Sequence, residues 1–166
     1  MYYLNNFFLY AIFGHLFETI FFVTFKIRKK SGFLYLWWTP FYGLGVLITM
    51  LIYKIVNKYV ENKYWKNCIL FVAFFLILSL LEFLGGIFLE KLYGYAFWDY
   101  TNIPLNIGKY VSLGTSLVWT IFSFLYIYCF KKYSDKLIKK LPKFLTVFLS
   151  IVFIIDCIAS IGKIFT

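Results

Sequence analysis

Three acidic side chains lie inside stretches that are otherwise apolar. Glu18 interrupts the run from Phe7 to Phe25, and Glu82 and Glu90 belong to a second run. An ionisable residue in a membrane-spanning segment costs about 2.5–3.5 kcal/mol on insertion scales, and it normally faces protein or water. A carboxyl group in such a place can bind a cation, carry a proton or contact a substrate. We therefore predict a polar ligand or translocation site that contains these three glutamates.

The spacing of the second run places its polar residues together. Ser79, Glu82, Gly86 and Glu90 recur every three or four residues, which is one face of a helix. The two glutamates are about 12 Å apart along the axis, since each residue rises about 1.5 Å. They are predicted to mark two depths of one cavity. In this functional interpretation the acids pair with Lys109 or His15. The alternative is structural hydrogen bonding or ion pairing that fixes the helix register.

A long aromatic loop follows this helix, over residues 91–109. Long connections without regular structure are usually functional or disordered, and this one is too aromatic for disorder. We predict an ordered loop that covers the site. Asp99 either holds Lys109 or Arg28 or, like Asn106, supplies ordinary turn chemistry. The loop's predicted site residues are Trp98, Asp99, Tyr100, Asn106 and Lys109.

The remaining predicted site residues flank this loop or precede it in the chain. Ser116 and Trp119 lie on the next helix, and His15 is one turn before Glu18. The residues predicted to support the site are His15, Pro40, Tyr42 and Gly43. No HExxH or CxxC pattern is present, so neither a metal site nor a cofactor is predicted, and catalytic residues stay unknown.

The composition assigns the whole chain to a membrane. Hydrophobic residues make up 63% of the 166 and charged residues 14%, against about 25% charged in soluble domains. The length accommodates about five helices of about 20 residues each and no separate soluble domain. We predict a single all-α, polytopic transmembrane bundle over residues 1–166, multi-pass in the cell membrane. Its spans are predicted at about 7–25, 38–53, 67–90, 110–130 and 144–165.

The basic residues lie between the predicted spans. The net charge is +10, and six lysines fall between residues 131 and 143. In a membrane protein such lysines indicate orientation and contact with anionic headgroups, and no nucleic-acid partner is predicted. Alternating spans bring the three glutamates and the loop to one half of the membrane. The ten basic residues on the N-terminal side, against seven opposite, favour a cytoplasmic N-terminus.

At the glutamates, the aromatic loop and the flanking segments described above, the chain resembles the ABC-transporter type IV permease family, also called CmpB-like, of bacterial integral membrane proteins. The resemblance covers roughly residues 10 to 120. Two departures stand out, because Ser31 and Lys109 occupy positions where the family has arginine, whose planar donor fork lysine cannot reproduce. The matching segments are Gly14 to Glu18, Gly32 to Leu34, Pro40 to Gly43, Glu82, Glu90, Trp98 to Thr101, Pro104, Asn106 to Gly108, and Ser116 to Trp119.

The resemblance implies a transport role, but it does not indicate which substrate is transported. The sequence has no GxxxxGK[ST] phosphate loop, so an ATP-driven transporter needs a separate ATP-binding subunit. A membrane enzyme that uses Glu82 or Glu18 as acid or base on a lipid or headgroup is the alternative, and it ranks lower. A non-catalytic accessory subunit is the third reading. Homo-oligomerisation is left open.

Overall fold

The computed structural model describes residues 1–24 and 32–162. Helices dominate this part of the chain, which agrees with the predicted all-α membrane bundle. A two-stranded antiparallel hairpin pairs Asn106 with Ser112 and Ile107 with Val111. In chain order the elements are α1 (Tyr2–Thr24), α2 (Pro40–Tyr59), α3 (Lys63–Tyr93), β1 (Asn106–Ile107), β2 (Val111–Ser112), α4 (Leu113–Leu125), a π-helical turn (Tyr126–Phe130), α5 (Lys131–Ile138) and α6 (Lys143–Gly162).

Helices α2 and α3 are both longer than the sequence pattern predicts. α2 begins at Pro40, where a missing N–H costs nothing, and continues past residue 53 to Tyr59. The side chain of Asn62 caps α3 by accepting hydrogen bonds from the amides of Tyr64 and Trp65, at 2.9 and 3.2 Å. The predicted polar connection over 54–66 is therefore only residues 60–62. At 20 residues, α2 has the length of a membrane span.

Capping residues set the ends of α3 and α4. Gly94 adopts a left-handed conformation with φ of 78°, and its amide bonds the carbonyl of Glu90. Ser112 and Thr115 form a reciprocal capping box at the start of α4. α4 then continues through the π-helical turn into α5 without a break, so the fourth helix runs from 113 to 138 and not from 110 to 130.

Four helices of the described chain are long and apolar enough to cross a membrane. They are Pro40–Tyr59, Lys63–Tyr93, Leu113–Ile138 and Lys143–Gly162. The predicted first span ends at residue 25, outside the described residues, and α1 covers 2–24. The crossing of the bilayer by α1 stays a prediction. The last predicted span, 144–165, likewise extends past the described residues.

The chain divides into two compact units. The first comprises Met1–Leu47 with Lys132–Thr166, and the second is Ile48–Lys131. Aromatic rings fill the core of the first unit, where Phe7, Phe8 and Trp38 each lie within 6 Å of the ring of Phe153. In the second unit α3 packs on α4 through apolar residues and through hydroxyls. Thr49 of α2 hydrogen-bonds Ser123 of α4 at 2.9 Å, as membrane helices commonly do.

Candidate functional site

Glu82 is the most deeply buried acid among the predicted site residues of the second unit. α3 carries Glu82 on its packed face, where only 7% of the residue is exposed. The hydroxyl of Tyr100 donates to Oε1 at 3.1 Å. Trp119 and Thr115 of α4 also lie beside the carboxyl group. Oε2 is buried, and no residue in the described ranges hydrogen-bonds it.

Hydroxyl groups line the same face of α3 one turn before Glu82. The Oγ of Ser79 lies 2.6 Å from the Oγ of Ser116 and 2.5 Å from the carbonyl oxygen of Phe75. Thr120 donates to the carbonyl of Ser116 at 2.8 Å. Ser116 therefore belongs to the seam between α3 and α4 below the carboxyl group, and it does not bond Glu82 itself. Small hydroxyl residues thus bond across the contact between α3 and α4, as membrane helices commonly do.

The loop over residues 94–112 folds back on itself as a hairpin and delivers Tyr100 to Glu82. The amide of Tyr100 donates to the carbonyl of Lys109 at 2.8 Å. The indole N–H of Trp98 donates to the carbonyl of Tyr110 at 3.0 Å. Gly108 makes the tight turn at φ of 59°, a conformation that glycine adopts without strain. The loop is thus ordered by its own hydrogen bonds, as predicted.

A second polar group ties the hairpin to the end of α3. Glu90 forms an ion pair with Lys109 and accepts a hydrogen bond from the hydroxyl of Tyr110. The side chains of Lys109 and Glu90 are 38% and 27% exposed, so this group faces outward more than Glu82 does. The hydrogen bond to Glu90 raises the pKa of the Lys109 ammonium above its usual value. The same carboxylate raises the pKa of the Tyr110 hydroxyl.

The two glutamates of α3 belong to separate hydrogen-bond groups. Gly86 lies between them on the same helix face, and the ring of Tyr110 covers it so closely that an added Cβ would be 2.4 Å from Cδ1. Of the partners left open by the sequence, Lys109 bonds Glu90. That Glu82 and Glu90 mark two depths of one polar cavity stays a prediction.

Asp99 and Asn106 supply turn chemistry within the hairpin. Asp99 accepts from the amide of Thr101 at 2.8 Å and from its hydroxyl at 2.5 Å, which is an Asx turn. The amide group of Asn106 donates to the carbonyl of Gly108 at 2.7 Å. These contacts fit the interpretation in which Asp99 and Asn106 supply ordinary turn and cap chemistry. Arg28, the other partner considered for Asp99, lies outside the described residues.

The other predicted residues lie in the first unit, and their grouping with Glu82 stays a prediction. His15 is buried on α1, and Glu18 one turn later is half-buried. Tyr42 covers Gly14 so closely that an added Cβ would lie 2.2 Å from its ring. Gly43 is covered in the same way by Phe7 of α1, and Pro40 begins α2. Tyr42 and Gly43 therefore join α1 to α2 by close packing.

Asp156 organises the irregular segment before α2, through backbone and indole donors that the sequence did not identify. Its Oδ2 accepts from the amide of Leu36 at 3.1 Å and from the indole of Trp38 at 2.9 Å. Its Oδ1 accepts from the amide of Tyr35 at 3.2 Å and the hydroxyl of Ser160 at 3.3 Å. In the sequence, Asp156 is an acid within an apolar run. Such an acid is expected to have buried hydrogen-bond donors, but the sequence pattern does not identify them.

The site chemistry is that of a hydrogen-bond acceptor in an apolar setting. Among the described residues, no three histidine, cysteine, aspartate or glutamate side chains come together as a metal site would require. Hydroxyl and indole groups surround Glu82, and all of them can donate to a carboxylate. Oε2 is the atom of this carboxyl group that has no hydrogen-bond partner among the described residues.

A comparison with family models matches residues 5–161 of the chain, which includes α3, the hairpin and α4, to the family described as "Putative ABC-transporter type IV". The chain belongs to this family. No curated protein and no solved structure matched it. The apolar helices of this type IV family member identify it as a membrane protein of the ABC-transporter type.

Proposed function

We propose that this type IV family member is the membrane-embedded subunit of an ATP-driven transporter in the cell membrane. Its family and its four long apolar helices support the membrane role. A separate ATP-binding subunit would supply the energy, and a second copy of the chain would complete the translocation path if the subunit acts as a dimer. Glu82 would bind the transported solute under the hairpin of residues 94–112.

The single observation that carries the site is the incomplete bonding of Glu82. A buried polar atom without a partner costs about 1–3 kcal/mol, and more when it is charged, so proteins normally satisfy such atoms. Oε2 of Glu82 is buried and has no partner in the described chain, whereas Oε1 accepts from Tyr100. A solute that donates a hydrogen bond to Oε2 would remove this cost.

The chemistry around Glu82 favours a cationic donor. An ammonium group supplies both a positive charge and N–H donors, and a carboxylate is acceptor only. The hydroxyl of Tyr100 already hydrogen-bonds the carboxyl group, and the indole of Trp119 lies beside it, so both would keep it oriented. We therefore propose a primary amine or another hydrogen-bond-donating cation as the solute class.

Transport by reconstituted vesicles tests the proposal. The purified chain, with the ATPase that copurifies with it, is assayed for uptake of labelled methylammonium and putrescine in the presence of ATP. Wild-type vesicles should accumulate one of these amines, and Glu82→Gln should reduce uptake by tenfold or more. Glu61→Gln, which changes an exposed glutamate between α2 and α3, is the matched control and should transport normally.

Several outcomes would count against this function. Equal uptake by wild type and Glu82→Gln would remove the solute site, and the absence of any copurifying ATPase would remove the energy source. Turnover of a lipid headgroup without ATP, lost in Glu82→Gln, would favour the membrane-enzyme reading instead. Unchanged growth and assembly of a variant lacking Glu18, Glu82 and Asp99 would favour an accessory subunit.

A further inference from the structure

Lysines are concentrated on the exposed surface where α5 turns into α6. The acid within α5, Asp135, accepts a 2.5 Å hydrogen bond from the hydroxyl of Tyr2, and so it is directed toward the N-terminus of α1. None of the five exposed lysines takes part in an ion pair within the described parts of the chain. We call this region the lysine surface, and it comprises Lys132, Lys136, Lys139, Lys140 and Lys143.

Large apolar side chains alternate with these lysines on the outside of the protein. Tyr133 and Phe144 are 71% and 73% exposed, and Leu137 is also exposed. The opposite side of α5 is packed, because Ser134 and Ile138 are buried. Lysine interleaved with exposed aromatic and aliphatic groups is typical of helices that lie at the boundary between headgroups and acyl chains.

The helices on either side place the lysine surface at a membrane boundary. Leu113–Ile138 and Lys143–Gly162 both have the length and hydropathy of membrane spans. Only residues 139–142 separate them, in a turn closed by bonds from the amides of Lys140 and Leu141 to the carbonyls of Leu137 and Ile138. A turn this short cannot carry the lysines far from the bilayer, so they lie at headgroup depth.

We propose that the lysine surface binds the phosphate groups of anionic phospholipids. Each ammonium is a compact cation with three donors, and lipid phosphate provides the complementary charge. Tyr133, Leu137 and Phe144 would insert beside the acyl chains and hold α5 at the surface. A soluble protein partner is less favoured, because it would leave these three apolar side chains to be covered by polar protein surface.

Native mass spectrometry of the purified protein, titrated with phosphatidylglycerol or phosphatidylcholine of the same acyl chains, tests this inference. Wild type should bind phosphatidylglycerol at least about tenfold more tightly, since several lysines act on one anionic group. Raising NaCl from about 0.1 to 1 M should weaken the preference, because the Debye length falls from about 10 to about 3 Å. Lys136→Gln, Lys139→Gln and Lys140→Gln combined should abolish it.

Two further variants make the result specific. Arginine at the same three positions keeps the charge and should retain the preference for phosphatidylglycerol. Lys54→Gln, Lys58→Gln and Lys63→Gln combined remove the same charge from the end of α2 and the start of α3, on either side of Glu61, and this control should retain most of the preference. An unchanged unfolding midpoint in phosphatidylcholine nanodiscs would show that each variant folds.

Three results would overturn the proposal. In the first, wild type shows no preference for the anionic lipid. In the second, both triple glutamine variants lose the preference equally, which would mean that the preference depends on net charge alone. The third is that the variant at 136, 139 and 140 still prefers phosphatidylglycerol but no longer copurifies with an ATPase. In that case the lysine surface is a protein-docking surface.

Discussion

At the residue scale, two buried acids of this protein differ in how completely their carboxyl oxygens are hydrogen-bonded. Both oxygens of Asp156 are bonded, and its four donors come from the segment before α2 and from α6 itself. Glu82 has one bonded oxygen and one without a partner in the described chain. Asp156 therefore has the features of a structural acid, and the open oxygen of Glu82 is what supports the proposed binding role.

Asp156→Asn should destabilise the protein by about 2–3 kcal/mol. The new amide nitrogen would face N–H donors that need an acceptor, and breaking a charge-assisted hydrogen-bond group costs more than a neutral one. Ser160→Ala, which removes one bond to the same carboxylate, should cost only about 1 kcal/mol. Unfolding in mixed micelles measures both changes. Equal stability of Asp156→Asn and wild type would show that the carboxylate does not hold the segment.

Gly86→Ala should destabilise the contact between α3 and the hairpin by about 1–3 kcal/mol, as overpacking does. The added methyl would lie 2.4 Å from the ring of Tyr110, which must then move away from Glu90. Gly114→Ala is the matched control, because its methyl would meet only the Oγ of Ser112, at 3.8 Å. Both are measured by unfolding in the same micelle. Equal effects at the two glycines would contradict the close contact.

At the scale of elements, the hairpin is attached to α3 at two separate levels. Tyr100 reaches the buried Glu82, and Lys109 with Tyr110 reaches the more exposed Glu90. The outer attachment is ionic and open to water, so salt weakens it, whereas the inner one is shielded. The hairpin can therefore loosen at its outer end without exposing Glu82 at once.

The outer attachment should depend on pH through Lys109. Its pKa is raised in the folded protein by Glu90, so its stabilisation is complete below the usual value of 10.5 and is lost as the pH rises through the raised pKa. Lys109→Arg stays charged and should keep its unfolding midpoint better than wild type above about pH 10.5, and Lys109→Gln should lack the stabilisation throughout. Identical pH profiles for wild type and Lys109→Arg would contradict this.

At the scale of the whole molecule, the apolar helices impose an alternating path through the membrane. α3 is 31 residues long and has the highest hydropathy of the candidate spans, so its two ends should lie in different aqueous compartments. This places residues 60–62 opposite the hairpin. The proposed solute site and the lysines that flank residues 60–62, Lys58 and Lys63, would then face opposite sides of the membrane.

Labelling with a membrane-impermeant maleimide checks this path. Cys68, Cys129 and Cys157 are first replaced by serine, and a cysteine is then introduced at Asn62 or at Asn102. In intact cells only one of the two should react, and both should react after permeabilisation. The predicted cytoplasmic N-terminus favours reaction at 102. Reaction of both in intact cells would show that α3 does not cross the membrane.

The local features of this fold were predictable because they depend on neighbours in sequence. Pro40 begins a helix, and the carboxyls of Glu82 and Glu90 share one face of α3, since both facts follow from backbone geometry alone. The ends of α3 and α4 were less predictable. Asn62 caps α3 inside a polar stretch that could equally have been a loop, and the π-helical turn extends the fourth helix into α5.

The sequence by itself determined that this is a helical membrane protein, because hydropathy and spacing act residue by residue. Its match to a family model places it in the type IV family. The tertiary structure alone decided which polar groups meet. Lys109 was one candidate partner for several acids, and the path of the hairpin assigned it to Glu90. Asp156 likewise gained its donors from a segment about 120 residues away. Contacts between residues so far apart in sequence depend on how the chain folds back on itself, and no local sequence pattern predicts them.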